Sequence, residues 1–206
     1  MHEGTPIKIE TTGDLDLVIE SAMDLYEVPR TGWLNHGVDH ERVESVGEHT
    51  EAVDSLFEQL IEKIDPEHKL DRLKMKRLIQ IHDWPESLAG DQVAYDSDPE
   101  KEKRLKKKKE EDELQSMQKI CTRFGDKGKI LMDLWLEYEK GETFEAQVIK
   151  QLDKLQFFYK AWEYEQSGEK INIEELIEQE KTRNRITNPV IRKLFLDLEE
   201  KCEKML

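Results

Sequence analysis

Three stretches of the chain carry side chains that bind metal ions or move protons: "VGEHT" around His49, "IHDWPESLAGD" over residues 81–91, and "VIKQLDKLQ" around Asp153. In the second, His82 and Asp83 are adjacent, and Glu86 and Asp91 follow. Each stretch sits inside an apolar repeat of helical spacing. His49 lies three residues after Val46 and four before Val53; His82 lies four after Leu78 and three after Ile79. Asp83 lies four after Ile79, and Asp153 lies four after Ile149 and four before Phe157. Residues three and four apart share one face of a helix, so three helices each turn a metal-type side chain toward a buried face or its edge. Burying a carboxylate is costly unless something compensates the charge. One divalent cation held by both imidazoles and both carboxylates would compensate all of them, and that mixed donor set suits Mn, Fe, Co or Zn better than Ca. The spacing also fits a second reading, in which each histidine hydrogen-bonds inside the core and each aspartate meets a lysine, a cap or a backbone amide. Position along a helix does not choose between the two.

The elements that would position these residues are all helices. Gly and Pro separate the periodic segments, no alternating strand pattern persists, and no repeat of fixed period is evident. The first helix is expected over Leu15–Val28, ended by Pro29, and an irregular arm, "RTGWLNHGVDHERVE", follows it. A second helix starts at Ser45, where "SVGE" has the form of a capping box, and a third runs from Leu70 to Asp83. Asp98-Pro99 opens a fourth, which contains "KEKRLKKKKEEDEL" and reads as a solvated face with Glu/Lys pairing. Further helices are expected at 127–140, 143–166, 173–183 and 189–205. Trp84-Pro85 should kink the chain between the His-Asp pair and Glu86, because proline has no amide hydrogen and disfavours helix at the residue before it.

A length of 206 residues implies one domain with a sizeable core, taken as 1–206 with its body at 13–200. The net charge of -15 argues against a nucleic-acid polymer or an anionic membrane as partner. It leaves room for a small anion beside a bound cation. Cys121 and Cys202 form no metal-type pair, which suggests reduced thiols. No signal-peptide pattern and no membrane-length apolar run is visible, so the expected location is the cytoplasm.

Taken together, His49, His82-Asp83 and Asp153 resemble the H…HD…D ligand set of the HD-domain phosphohydrolases. The likeness is closer to one branch, the HD-domain 5'-deoxynucleotidases (YfbR-like proteins and their eukaryotic relatives). "ESVGEH" (44–49), "HDWPESLAGD" (82–91), "LWLEYEKGETFEAQVIKQLDKLQ" (134–156) and "RTGW" (30–33) are each similar to a segment of that family, in the same order. The resemblance implies an all-α HD-domain bundle with the metal site between helices. It implies His49, His82, Asp83 and Asp153 as ligands of one divalent cation (Mn, Co, Fe, Zn or Mg), Glu86 and Asp91 as catalytic carboxylates, and Arg30 with Trp33 on the nucleotide. It further implies a homodimer that removes the phosphate from deoxynucleoside 5'-monophosphates. The alternatives are a hydrolase of another nucleotide or small phosphate ester, and a metal-binding regulatory protein without turnover. Trp33, Trp84 and Tyr95 are candidates for an aromatic wall against a base, or else core and rim residues. The arm is longer than in relatives, and its His36 and His40 are expected in solvent rather than on the metal.

Overall fold

A computed structural model of the protein describes residues 22–169, 171, 176 and 185–203. Its helices are α1 (Thr31–Asn35), α2 (Val46–Ile64), α3 (Arg72–Ile81), α4 (Glu86–Ala89), α5 (Pro99–Arg123), α6 (Gly128–Lys140), α7 (Phe144–Gln166) and α8 (Pro189–Glu203). Among the described residues the β pairing is a single isolated antiparallel bridge, Pro29 to Ser45. The fold is the all-α bundle expected from the periodicity. Of the expected first helix, residues 22–24 are helical and a 3-10 turn, Leu25–Glu27, completes it before Pro29. The rest of that segment, and most of the helix expected over 173–183, lie outside the described residues.

Local chemistry sets the helix starts. Ser45 caps α2: its hydroxyl accepts the Glu48 N–H at 3.2 Å, and the Glu48 carboxylate accepts the Ser45 N–H at 2.7 Å, which is the expected box. Asp98 accepts the Glu100 N–H at 2.9 Å with Pro99 in the first turn of α5. Asn188 does the same for Val190 at 3.0 Å ahead of α8. Helix α7 lies in the middle, packed on α2, α3, α6 and α8. It buries Ala146, Ile149, Leu152, Leu155 and Phe158, side chains that point to more than one neighbour. Val53 and Phe57 of α2, Leu78 and Ile79 of α3, Trp135 of α6 and Phe195 of α8 fill the spaces around it.

Two departures from straight helix shape the site. Helix α3 stops at Ile81, short of the expected Asp83, and the chain turns through His82–Pro85 before the single turn of α4. His82 keeps helical dihedrals (φ -57°, ψ -38°) and its N–H still donates to the Leu78 carbonyl, so His82 and Asp83 stand together at the very end of α3, with His82 Nε2 3.2 Å from Asp83 Oδ2. After α4, Gly90 adopts φ 73° and ψ 161°, a conformation essentially reserved for glycine, and this swings Asp91 back toward the arm. The arm itself is pinched at its neck, where the Arg30 N–H donates to the Glu44 carbonyl at 3.0 Å and the Val46 N–H to the Val28 carbonyl at 2.8 Å.

The lysine run is less uniform than expected. Lys106, Lys107 and Lys108 are exposed, and Lys107 pairs with Glu111 one turn on. Lys109 instead leaves the solvated face and reaches Glu86 of α4. Residues on the α4 side of α5 are withdrawn from water by the packing of those two helices, and sequence periodicity carries no trace of it.

Candidate metal centre and active site

His49 stands one turn into α2 and is fully buried; His82 follows α3 and is 4% exposed. Each ring has one nitrogen fixed. His82 Nδ1 is 2.6 Å from the Ile79 carbonyl, an acceptor only, so Nδ1 carries the hydrogen. His49 Nδ1 is 2.6 Å from Gln156 Oε1. The amide of Gln156 is held that way round because its Nε2 donates to Glu44 at 3.1 Å, so His49 Nδ1 is again the donor. Glu44 also accepts the Trp33 indole N–H at 2.9 Å, and its own N–H donates to the Tyr164 hydroxyl at 2.7 Å. Both histidines therefore turn Nε2 away from those partners and toward the space they share with Asp83.

Those two Nε2 atoms and Asp83 Oδ2 lie within 4.8 Å of one another. All three are buried and make no hydrogen bond, although His82 Nε2 is 3.2 Å and His49 Nε2 3.8 Å from Asp83 Oδ2. Asp153 Oδ1, from α7, is 3.0 Å from His49 Nε2. Burial works to raise both carboxyls, but the neighbouring imidazoles, with Arg30 at Asp83, hold them well below the usual carboxylate range. Burial likewise works to lower His82, and the carboxylates of Asp83 and Asp153 override it and push the imidazole up to about 9. Two Nε2 atoms and one carboxylate oxygen that converge without a hydrogen-bond partner are a donor set for one divalent cation, which would displace the second proton of His82, and the fixed Nδ1 hydrogens orient it. His49, His82 and Asp83 form a group able to chelate that ion.

The other expected residues surround this centre. Arg30 reaches Asp83 Oδ2 at 3.6 Å. Burial opposes its charge, but Asp83, Asp91, Glu86 and Glu44 more than offset that and keep the guanidinium firmly protonated. Asp91 accepts the Thr31 N–H at 2.6 Å, which ties α1 to the loop after α4. Glu86 is 4% exposed. Its Oε1 is 3.4 Å from Lys109 Nζ, and its Oε2 is buried without a partner. Burial, then the charges of Asp83 and Asp91, raise its carboxyl well above the usual range, with Lys109 and Arg30 opposing.

Trp33 is 1% exposed and stacks on Phe157 with ring centres 4.5 Å apart, so its ring is packed in protein. Trp84 is buried against Phe124, while Tyr95 is exposed. His40 is exposed and His36 half-buried, and neither joins the metal-type group. A cavity of about 550 Å³ opens beside Asp153, with Tyr138, Lys150, Lys154 and Arg185 on its wall.

Sequence reasoning gave no role to Glu44, Gln156 or Lys109, and Tyr138, whose ring centre is 5.1 Å from that of His82, also went unnoticed. The available signal for Gln156 was a polar side chain three residues after Asp153 and four after Leu152, on the face that the apolar residues of the helix share. Gln156→Leu should weaken Mn²⁺ binding to metal-stripped protein by about 10–100-fold, as loss of a partner that orients a ligand does. Calorimetric titration measures this, and an unchanged affinity would show that the amide serves packing alone.

Comparison with known proteins agrees with this geometry. The HD domain family model matches residues 22–194. A 5'-deoxynucleotidase of Dictyostelium discoideum is 34% identical over 182 residues, covering 85% of this chain and 91% of that protein. The human 5'-deoxynucleotidase is 32% identical over 141 residues, 68% of this chain but 63% of that longer protein. A conserved hypothetical protein from Pyrococcus furiosus superposes with TM-score 0.65 at 28% identity, covering 90% of this chain and 99% of that one. A predicted metal-dependent phosphohydrolase from Magnetospirillum magnetotacticum superposes with TM-score 0.72 at 22% identity, over 94% and 92% of the two chains, a likeness of fold.

Proposed function

The chain belongs to the HD-domain family, and on that premise we propose that it is a metal-dependent phosphohydrolase removing the 5'-phosphate from 2'-deoxynucleoside 5'-monophosphates. The observation that carries this is the set of unpartnered buried donors on His49, His82 and Asp83, with Asp153 beside them. It occurs in a chain similar to 5'-deoxynucleotidases over most of its length. His49, His82, Asp83 and Asp153 are the ligands in this reading. The cation, when bound, polarises the phosphoryl group and acidifies water next to it.

The rest of the chemistry falls to the protein. Arg30 offers a planar donor fork to phosphoryl oxygens and balances the acidic cluster around it. Glu86 and Asp91 occupy unlike environments, the condition under which paired carboxyls divide acid and base roles. Glu86 is the proton donor to the leaving 5'-oxygen, a role its raised carboxyl supports; Asp91 accepts the proton of the attacking water. Support for a nucleotide-sized ligand comes from the cavity beside Asp153, within the usual range for small-molecule sites. Trp33 acts behind the site, through Glu44 and Gln156, rather than on the nucleotide. The whole chain is read as one HD domain, a cytoplasmic homodimer with no nucleic-acid polymer or membrane as partner; no described helix is long and apolar enough to cross a membrane.

The test is phosphate release by metal-stripped protein resupplied with Mn, Co, Mg, Fe or Zn, on 2'-deoxy and ribo 5'-monophosphates, a 3'-monophosphate and a triphosphate. Metal-dependent release from the 5'-deoxy compounds is expected. Pyrophosphate or triphosphate as product would move the activity to another nucleotide class.

A further inference from the structure

Lys109 lies far from the metal-type residues in sequence, inside a run of four lysines that looks like a solvated surface. In the fold its side chain is 28% exposed and its Nζ stands 3.4 Å from Glu86 Oε1 and 3.4 Å from Glu113 Oε1. Glu113, one turn on along α5, is itself half-buried. The ammonium is therefore held from behind by one carboxylate and directed at another. Glu86 faces Asp83, Asp91, Arg30 and Lys109, so the lysine is the cation set against it from the side of α5, as Arg30 is from the side of the arm. Its contact is with Oε1, which leaves Oε2 buried with no hydrogen-bond partner.

We propose that Lys109 is a positioning residue for Glu86: it pins Oε1, leaves Oε2 as the oxygen that carries and gives up the proton, and stabilises the carboxylate formed by the transfer. This rests on the reading of Glu86 as proton donor given above. The step is balanced within the site. As the attacking water bonds to phosphorus and gives its proton to Asp91, the bond from phosphorus to the 5'-oxygen breaks, the Oε2 proton passes to that oxygen, and the negative charge left on Glu86 meets the ammonium. Asp83 and Asp91 make the same charge unfavourable, so without Lys109 the transfer has nothing on the α5 side to offset them. Lys106, Lys107 and Lys108, exposed on the same helix, cannot substitute, because one residue turns a side chain about 100° around the axis.

The experiment compares wild type, Lys109→Met, Lys109→Arg, Glu86→Gln and the Lys109→Met/Glu86→Gln double variant. Steady-state phosphate release from a 2'-deoxynucleoside 5'-monophosphate with Mn²⁺ is read alongside Tm and Mn²⁺ affinity. Lys109→Met should lower kcat about 10–100-fold with KM within about threefold, the pattern of a group needed in the transition state. Lys109→Arg should restore most of the rate. In the Glu86→Gln background Lys109→Met should cost less than about twofold more, since residues acting through one another are not additive. Tm and metal affinity should match wild type. A full further loss in the Glu86→Gln background, or a loss explained by lower Tm or weaker metal binding, overturns the proposal. If wild type releases no phosphate under any condition, the functional reading fails, and the pairing is then decided by the ¹³C resonance of the Glu86 carboxyl, identified by its disappearance in Glu86→Gln. A resonance moved by Lys109→Met retains the positioning contact, and one left in place refutes it.

Discussion

Asp83→Asn binds Mn²⁺ at least ~100-fold more weakly than wild type and loses nearly all phosphate release, because loss of a ligand must exceed the 10–100-fold typical of losing a residue that merely orients one. Asp83 Oδ2 is the atom on which the centre turns: it is 3.2 Å from His82 Nε2, 3.8 Å from His49 Nε2 and 3.6 Å from the Arg30 guanidinium. Asparagine keeps the volume and one acceptor but removes the charge, so the fold should survive. Arg30 then faces Glu86, Asp91 and Glu44 alone. Titration of metal-stripped protein gives the affinity, and inductively coupled plasma analysis gives the residual metal. Wild-type affinity in Asp83→Asn would remove this carboxylate from the ligand set. Full activity with weakened binding would separate the metal from the reaction.

Glu86→Gln should reduce kcat by roughly 10²–10⁴-fold, the range of a lost general acid or base, while making the metal-free protein more stable at neutral pH. The second half follows from the raised carboxyl. Across pH values from about 4.5, the ordinary glutamate range, up to its higher value in the fold, Glu86 keeps a proton that the unfolded chain has released. The native state then binds more protons than the unfolded one, so stability declines as pH rises through that window. Glutamine resembles the protonated carboxyl at every pH and removes the decline. Thermal melts of metal-free protein should coincide near about pH 4 and separate by about pH 8, with the variant melting higher. A variant that melts lower at both would mean that Glu86 is ionised and favourably paired in the fold. A wild-type kcat would take it out of the reaction altogether.

The gain in stability and the loss of rate would have one cause. A buried carboxyl among Asp83 and Asp91 is unfavourable for folding and, for the same reason, a proton donor at a pH where an exposed glutamate is not. The Gln156 and Lys109 variants probe groups that touch this chemistry only through His49 and Glu86.

The sequence alone determined the helical architecture and the helices that bear the chemistry. Both are local properties: period 3.6 in the apolar residues, the Ser45–Glu48 box, Asp98-Pro99 and Asn188-Pro189 all act within one turn of chain. It also showed that His49, His82, Asp83 and Asp153 stand on or beside faces meant for burial, since helical spacing converts position into direction. Only the tertiary structure decided that these faces meet. The same spacing served a core histidine equally well until α2, the end of α3 and α7 were brought together and three donor atoms were left without partners. The end of α3 shows the limit from both sides. Pro85 forecast a kink, and the helix does end, at Ile81; that His82 Nε2 and Asp83 Oδ2 come within 3.2 Å of each other there was not written in the period. Trp33 was placed by its motif and not by its surroundings; Phe157, from α7, covers its ring. Glu44, Gln156 and Lys109 went unread for a common reason. Each takes its meaning from a partner more than twenty residues away, and a hydrogen bond or ion pair across that distance leaves no period in the chain that makes it.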